Sequence, residues 1–411
     1  MEKVLGIIAE YNPFHKGHLY HLQKSKELTK SKYVVSIIGN NFTQRGDVSI
    51  LDKWNKTKLA LENGVDLVIE LPSIYSSSSA ENFASGAIKI LNSLGIVNYL
   101  SFGSESGDIE AFKDVSNLMN NYINEEENPF SIILKEALSE GNSYPKAMNI
   151  ALDKISNGRY LDFLSPNNIL GLENIYSLHE LYSDITPITI KRTGNNYNDL
   201  EQSDTISSAT SIRNSLKNNI KEIKNSVPEN VYNVLKNIDV VPTLKEFEKE
   251  ILFILRRMSL DEISNLPDVS EGLEYKIKDA SLSSLTLEEL IEKIKTKRFT
   301  LARIQRILVY ALLGITKYDF EMSKKVTPYI RVLGFTKNGK ELLSKIVKTG
   351  KNKNIITSVK KFETTCNDSN LQRLLEIDLL STFLHNQVAF SNKTVENNKL
   401  PNDYNQKMVE I

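Results

Sequence analysis

The chain has 411 residues, of which 40% are hydrophobic and 25% are charged, with 18 Gly and 11 Pro. These values are typical of proteins that fold in water, and they exclude a collagen-like or wholly disordered chain. The length is sufficient for two or three domains. A single cysteine, Cys366, excludes an internal disulfide and a zinc site built from paired thiols, so we expect a cytoplasmic protein.

The net charge of zero conceals a difference between the two halves of the chain. Residues 1–215 carry 19 basic and 26 acidic side chains, whereas residues 216–411 carry 32 and 25. Residues 293–361 alone hold 18 basic side chains and three acidic ones. Such a density favours a polyanionic partner such as nucleic acid, although a solvated lysine-rich surface produces the same pattern.

In chain order, the first half alternates short apolar runs with amphipathic stretches, which is typical of a parallel sheet with helices on both faces. The predicted strands are residues 4–9, 33–38, 67–70, 99–102 and 188–190. The predicted helices between them are residues 18–28, 52–63, 80–94 and 108–120. The first apolar run is too short to span a membrane, and we interpret it as a buried strand.

The second half has apolar residues at three- and four-residue spacing, which predicts helices. These predicted helices are residues 247–258, 285–294, 301–313, 340–347 and 371–384. We therefore predict an α/β, Rossmann-like domain over residues 1–215 and a mostly α-helical, basic domain over residues 216–411. We expect the chain after residue 391 to be weakly ordered, because it is rich in Asn and Lys.

Three of the five histidines, His15, His18 and His21, follow the first predicted strand within seven residues. Gly17 allows a ligand to approach the backbone, and a helix beginning near His18 offers free N–H groups to a phosphate. Imidazoles at that position can stabilise charge on an α-phosphate during an in-line displacement. A metal site or a cluster without function is the alternative, but no acidic residue stands at zinc-ligand spacing.

The HxGH pattern at a strand–helix turn resembles the signature of the nucleotidylyltransferase superfamily, which includes the class I aminoacyl-tRNA synthetases. The run ISSATSIR at residues 206–213 resembles the ISSTxIR motif of these enzymes, with Ala209 in place of a serine. The resemblance implies that Ser208 and Thr210 bind phosphate and that Arg213 neutralises the leaving pyrophosphate.

Several longer runs resemble one family, the bacterial tRNA(Met) cytidine acetate ligases. These runs are GIIAEYNPFHKGHLYHL, NNFTQRG, DLVIELP, SAENFA, FGSE, SPNNILG and PYIRVLGF. The resemblance implies a nucleotidylyltransferase-like ATP-binding domain over residues 1–215 and a tRNA-binding domain over residues 216–411. It also implies a reaction in which acetate and ATP form acetyl-adenylate, whose acetyl group passes to the wobble cytidine of elongator tRNA(Met) to give N4-acetylcytidine.

The family pattern implies the following site residues. The predicted catalytic residues are His15, His18 and Arg213. The predicted ATP-binding residues are Ile7, Ile8, Ala9, Glu10, Tyr11, Asn12, Pro13, Phe14, His15, Lys16, Gly17, His18, Leu19, Tyr20, Gly103, Asn167, Arg192, Ser208 and Thr210. We expect Mg²⁺ to accompany the triphosphate, but no residue is predicted to be a metal ligand.

Basic side chains are predicted to contact tRNA phosphates. They are Arg45, Lys53, Lys295, Lys297, Arg298, Arg303, Arg306 and Arg331. For Arg45 and Lys53, a contact with acetate or a structural ion pair with an acid such as Glu70 is an equal alternative. Trp54, the only tryptophan, is predicted to lie in the core. No membrane and no protein partner is inferred.

Two other functions agree with parts of this pattern. A small-molecule nucleotidylyltransferase would keep the AMP on its product, and an RNA-binding protein would carry a vestigial nucleotide pocket. The basic second half argues against the first alternative, because a small substrate does not require such a surface. The retention of both histidines and both arginines argues against the second.

Overall fold

The structure is a computed structural model that describes residues 2–123, 128–161, 163–192, 209–391 and 400–411. Its strands are β1 Val4–Ala9, β2 Tyr33–Gly39, β3 Leu67–Leu71, β4 Tyr99–Ser104, β5 Thr186–Lys191, β6 Ile330–Phe335, β7 Ile355–Ile356 and β8 Val409–Glu410. The strands β1 to β5 confirm the five predicted ones, each within one or two residues at its ends. Together the eight strands form one mixed, mostly parallel sheet, as expected for an α/β fold.

Helices of the first half cover both faces of this sheet. They are α1 Lys16–Thr29, α2 Lys53–Glu62, α3 Ser73–Ser76, α4 Ala80–Leu94, α5 Ile109–Ile123, α6 Pro129–Ser139, α7 Tyr144–Ile155, α8 Pro166–Glu180 and α9 Ala209–Asn218. Helix α4 begins and ends where the sequence predicts, because Gly95 adopts the left-handed conformation that ends a helix. Helices α3, α6, α7 and α8 were not predicted. Helices α5 to α8 share a small core around Phe112 and Leu152.

The second half is mostly helical, as predicted. Two short 3₁₀ helices lie at Ile220–Ile223 and Leu244–Phe247. The α-helices are α10 Glu229–Leu235, α11 Glu248–Arg257, α12 Leu260–Ser264, α13 Leu273–Ser283, α14 Leu287–Ile294, α15 Leu301–Leu313, α16 Lys317–Lys325, α17 Lys337–Thr349, α18 Val359–Thr365 and α19 Ser369–Ala389. Their apolar faces join the main core of the sheet, so the two halves share one large hydrophobic cluster.

The sheet order is β5-β4-β1-β2-β3-β6-β7, with β8 also paired to β6. Strands β1 to β5 are mutually parallel, so their carboxyl ends lie at one edge. Strand β6 runs antiparallel to β3. Residues 330–335 lie in the half that is predicted to be mostly α-helical, but they form a strand of this sheet, and all six are buried, as in a central strand.

The end of the chain also differs from the prediction. Residues 392–399 lie outside the described residues, but residues 400–411 pack against the sheet through β8, and Asp403 is buried. The expected weak order is therefore wrong for residues 400–411. A buried carboxylate partnered by cations fixes this segment, and composition alone does not reveal such a partner.

Candidate active site

The turn between β1 and α1 lies at the carboxyl edge of the sheet, where ligands bind in parallel α/β folds. His15 is the N-cap of α1, and its Nδ1 accepts a hydrogen bond from the backbone N–H of His18 (3.3 Å). His18 reciprocates, since its Nδ1 accepts from the backbone N–H of His15 (3.2 Å). Because both Nδ1 atoms are acceptors, each neutral ring carries its proton on Nε2.

The two rings are stacked, with centroids 3.7 Å apart and planes 22° apart. The Tyr11 ring stands nearly perpendicular to the His18 ring, with centroids 5.0 Å apart, and the centroid of Phe14 is 5.6 Å from that of His18. Tyr11 and Phe14 are themselves 2% and 1% exposed. These aromatic side chains therefore fix the His18 ring from the core side.

Both rings are uncharged at neutral pH. Burial and, to a smaller extent, the positive charges of Arg192 and Arg213 together lower the pKa of His15 to about 4. Burial also holds the pKa of His18 well below its ordinary value, with a smaller contribution from the neighbouring imidazoles. The site thus presents two neutral Nε2–H donors at the N-terminus of a helix, an arrangement suited to phosphate oxygens.

His21 lies one turn further along α1 and has a different role. Its Nε2 is 2.9 Å from Ser101 Oγ, Ser101 Oγ is 2.6 Å from Ser25 Oγ, and Ser25 donates to the His21 carbonyl at 2.6 Å. Since the Ser25 proton is used on that carbonyl, Ser101 donates to Ser25 and accepts from His21. This closed ring of hydrogen bonds joins α1 to β4, so His21 is a structural residue.

Arg213 approaches the turn from α9. Its Nη1 donates to the Asn12 carbonyl at 2.9 Å, and its Nη2 donates to Thr210 Oγ1 at 3.0 Å. Burial lowers the pKa of Arg213, although an arginine remains charged. The predicted pair of Thr210 and Arg213 is thus brought to the histidine turn, whereas Ser208 lies outside the described residues.

Arg192 approaches from the end of β5. Its Nη1 lies 3.5 Å from Asn167 Oδ1, and Asn167 Nδ2 donates to Glu105 Oε1 at 2.8 Å. A Cβ added at Gly103 would be 3.3 Å from Arg192 Cγ, so the glycine leaves room for the arginine stem. Three residues predicted from separate parts of the chain, Gly103, Asn167 and Arg192, therefore lie together.

The remaining predicted ATP-binding residues divide by exposure. Ile7, Tyr11, Asn12, Pro13 and Phe14 are buried and shape the turn from behind. Partly or fully exposed members are Ile8, Ala9, Glu10, Lys16, Gly17, Leu19 and Tyr20. Of these residues, only the second set offers surface to a nucleotide in this conformation, beside His18, which is partly exposed, and His15, which is 6% exposed.

Lys53 and Arg331 were predicted as tRNA contacts, and the structure contradicts this. Lys53 Nζ pairs with Glu70 at 2.8 Å and with Asp403 at 2.6 Å, and its side chain has no exposed surface. Arg331 pairs with Glu70 at 3.1 Å and also with Asp403. Both cations are therefore structural ion-pair residues inside the fold, the alternative considered for Lys53.

Arg303 and Arg306 are engaged with one loop of the helical part. Arg303 donates to the Asp268 carbonyl through Nε (2.9 Å) and Nη2 (2.7 Å). Arg306 Nε forms an ion pair with Asp268 Oδ2 at 2.9 Å. These contacts give both arginines a structural role.

Four other predicted tRNA contacts are exposed: Arg45, Lys295, Lys297 and Arg298. Lys295 lies 3.6 Å from Glu292, and Arg298 lies 2.7 Å from Glu271, in exposed ion pairs that contribute little. Trp54 is 8% exposed, which confirms its predicted place in the core.

Sequence reasoning missed Lys56, which is buried at the carboxyl end of β2. Its Nζ donates to the carbonyls of Gly39 (2.7 Å) and Asn40 (2.6 Å), and burial lowers its pKa to about 8. It fixes the start of the loop that follows β2. The available signal was the spacing of Lys53 and Lys56, three apart on the inward face of α2.

Neither a ready metal site nor a membrane-spanning helix is found in the described part of the chain. Within it, no group of three or more His, Cys, Asp or Glu residues is arranged to hold a metal ion. Among the same residues, none of the helices combines the length and the hydropathy required to cross a bilayer.

The chain is similar to several known proteins. A family model described as HIGH nucleotidyl transferase matches residues 2–400. The tRNA(Met) cytidine acetate ligase of Clostridium kluyveri is 42% identical over 407 residues, covering 95% of this chain and 97% of that protein. That of Thermoanaerobacter sp. strain X514 is 40% identical over 399 residues, covering 95% and 96%.

Solved structures give the same result. The crystal structure of Thermotoga maritima TmcAL in its apo form superposes with a TM-score of 0.89 at 31% identity, covering 100% of this chain and 99% of that one. The same protein bound with alpha-thio ATP superposes with a TM-score of 0.88. The chain therefore belongs to the HIGH nucleotidyl transferase family and, within it, to the tRNA(Met) cytidine acetate ligases.

Proposed function

We propose that this protein is an ATP-dependent ligase that activates acetate and acetylates the wobble cytidine of elongator tRNA(Met). An acetate oxygen attacks the α-phosphorus of ATP, and the bond from that phosphorus to the bridging oxygen breaks, so pyrophosphate leaves with the electron pair. The cytidine N4 amine then attacks the acetyl carbonyl carbon of acetyl-adenylate. AMP leaves, and the amine loses one proton to give N4-acetylcytidine.

The observation that carries the proposal is the stacked pair of neutral imidazoles beside two arginines at the carboxyl edge of the sheet. Negative charge accumulates on the α-phosphate oxygens in the transition state, and fixed donors stabilise it there more than in the ground state. We assign His15 and His18 to those oxygens through Nε2–H. Arg213 and Arg192 provide permanent positive charge for the phosphate chain.

Mg²⁺ would enter the site bound to ATP. Mg²⁺ in such enzymes is held largely by phosphate oxygens and water, and it does not require a carboxylate cage. Its role would be to neutralise the triphosphate, and the described residues supply no ready cluster for it. The steps assigned to the histidines and arginines do not depend on a protein-bound metal.

The adenylation step is tested by acetate-dependent exchange of labelled pyrophosphate into ATP, without tRNA. His15→Asn keeps a side-chain oxygen that caps α1 but removes the Nε2–H donor, whereas His15→Gln retains a donor near that position. We expect the Asn variant to lose about 10²–10³-fold in exchange rate and the Gln variant to lose less. Equal rates in the wild type and the Asn variant would contradict the assigned role.

The same assay separates the alternatives. Exchange that needs a substrate other than acetate would indicate a small-molecule nucleotidylyltransferase. No exchange with any acid, together with tight tRNA binding, would indicate an RNA-binding protein.

We propose that residues 1–215 perform adenylation and that exposed cations of residues 216–411 hold tRNA, in the cytoplasm where tRNA and ATP are found. Lys295, Lys297 and Arg298 are exposed together after α14, and they replace the buried cations as the main candidates. Changing all three to Glu should weaken tRNA binding and reduce its salt dependence. Acetate-dependent exchange without tRNA should remain, and an unchanged tRNA affinity would place the binding surface elsewhere.

A further inference from the structure

The loop after β2 contains a closed turn over residues 43–47, here called the QRG turn after Gln44, Arg45 and Gly46. Thr43 N–H donates to the Asp47 carbonyl at 2.8 Å, and Gly46 N–H donates to the Thr43 carbonyl at 2.9 Å. The side chain of Arg45 at its tip is exposed. The turn therefore presents one arginine on a rigid support.

The QRG turn is fixed to the segment that leads into the histidine turn. Gln44 N–H donates to Glu10 Oε1 at 2.6 Å, and Glu10 directly follows β1. Arg213 contacts the same segment from α9, through the carbonyl of Asn12. The backbone of the QRG turn and the side chain of Arg213 thus contact residues 10–12 from two different elements. Burial lowers the pKa of Arg213, and the positive charge of nearby Arg45 adds to this effect.

The other side of the QRG turn is held by the helical part. Gly46 has φ +76°, and a Cβ added there would lie 2.3 Å from the Arg306 nitrogen and 2.4 Å from the Gln305 carbonyl carbon. Only glycine tolerates both this conformation and this contact. Asp47 Oδ1 accepts from the backbone N–H of Leu244 at 2.8 Å. Contacts on two sides therefore determine where Arg45 stands.

We propose that Arg45 is a catalytic residue that binds the β- and γ-phosphates of ATP and the pyrophosphate formed from them. Glu10 and Gly46 are its positioning residues. The proposal rests on the proposed function and replaces the tRNA contact expected from the sequence. With the α-phosphate held at His15 and His18, the outgoing phosphates require cations nearby, and Arg45 joins Arg213 in that role. When the bond from the α-phosphorus to the bridging oxygen breaks, the electron pair stays on pyrophosphate, whose added negative charge the two guanidinium groups neutralise.

Pyrophosphate binding to the full-length protein, measured by isothermal titration calorimetry, tests this directly and does not require turnover. The test variant is Arg45→Ala, and the matched control is Arg257→Ala, which removes an exposed arginine at the end of α11. We expect Arg45→Ala to weaken pyrophosphate binding about tenfold, the usual size of one charge-assisted contact, and the control to bind as the wild type does. Binding by Arg45→Ala within about twofold of the wild type would overturn the proposal.

The positioning role has a separate readout. Gly46→Ala and Glu10→Ala leave the arginine in the chain but move or release the turn. Both should raise the KM for pyrophosphate in the exchange reaction while the KM for acetate stays constant, a split that general loss of structure would not produce. If Arg45→Ala instead lowers only tRNA affinity, Arg45 is an RNA contact and the proposal is wrong. Loss of acetate dependence in the wild type would contradict the proposed function alone, since calorimetry tests Arg45 independently.

Discussion

Replacement of His21 by leucine tests whether the third histidine is structural, neutral and protonated on Nε2. His21 is partly buried, and its ring is hydrogen-bonded to Ser101 on β4. Ser101 is in turn hydrogen-bonded to Ser25, which lies on α1 with His21. Leucine has a similar volume but cannot donate to Ser101. At pH 7 we expect the loss of this hydrogen bond to reduce the free energy of unfolding by about 1 kcal/mol.

The pH dependence provides the sharper test. Burial, followed by the charge of Arg192, lowers the pKa of His21 from 6.5 to about 4. Below pH 6.5 the unfolded chain binds a proton at this residue that the folded chain does not bind, so acid favours unfolding until the pH reaches about 4. Linkage gives a loss of about 2 kcal/mol between pH 7 and pH 5 from this residue alone.

Urea unfolding at pH 7 and pH 5 measures the effect as a difference between two proteins. The wild type should lose about 2 kcal/mol more than His21→Leu over this interval, because every other titrating group is common to both. Nitrogen-detected NMR of the histidine rings should also show His21 protonated on Nε2 and uncharged at pH 5. Parallel stability curves, or a ring that titrates near pH 6.5, would refute the reasoning.

Three further predictions concern the fold around the site. Asp403→Asn should lower the free energy of unfolding by about 3–5 kcal/mol, because it removes one anion from a buried cluster with two cations. In the same urea assay, the control Asp184→Asn at an exposed site should have little effect. Gly171→Val should lower the free energy of unfolding by about 1–3 kcal/mol, because even a Cβ added at this position would lie 2.6 Å and 2.7 Å from two phenyl rings. A melting temperature equal to that of the wild type would be inconsistent with this packing. Arg306→Gln should lower the melting temperature, because it removes the ion pair between Arg306 and Asp268. Acetate-dependent exchange without tRNA should be retained. An unchanged melting temperature would make Arg306 a candidate RNA contact again.

Features determined by neighbouring residues were predictable from the sequence. The five parallel strands are short apolar runs, and helix ends follow from local chemistry, as at Asp52, whose carboxylate caps α2. The histidine turn was also predictable, because the strand, the turn and the helix that form it are contiguous. The stacking and the reciprocal hydrogen bonds of His15 and His18 were not, since they depend on ring orientation.

Features determined by distant residues were not predictable. Arg331 appeared to be one more cation in a basic region, but it faces Glu70 across the antiparallel pair of β3 and β6. Burial of the tail depends on Asp403 meeting Lys53, 350 positions earlier in the chain. A charge count treats such residues as surface, because composition carries no information about which charges are paired inside the fold.

The geometry of the histidine pair also limits how the site can supply charge. With ring centroids 3.7 Å apart, protonation of both imidazoles would place two positive charges in contact within a partly buried site. Neutral rings avoid this cost, and in the proposed reaction they still donate hydrogen bonds that strengthen as the α-phosphate gains negative charge. Net positive charge must then come from groups that cannot lose their protons. The arginines beside the turn meet that requirement, and under the proposed function this explains why guanidinium groups lie next to the stacked imidazoles.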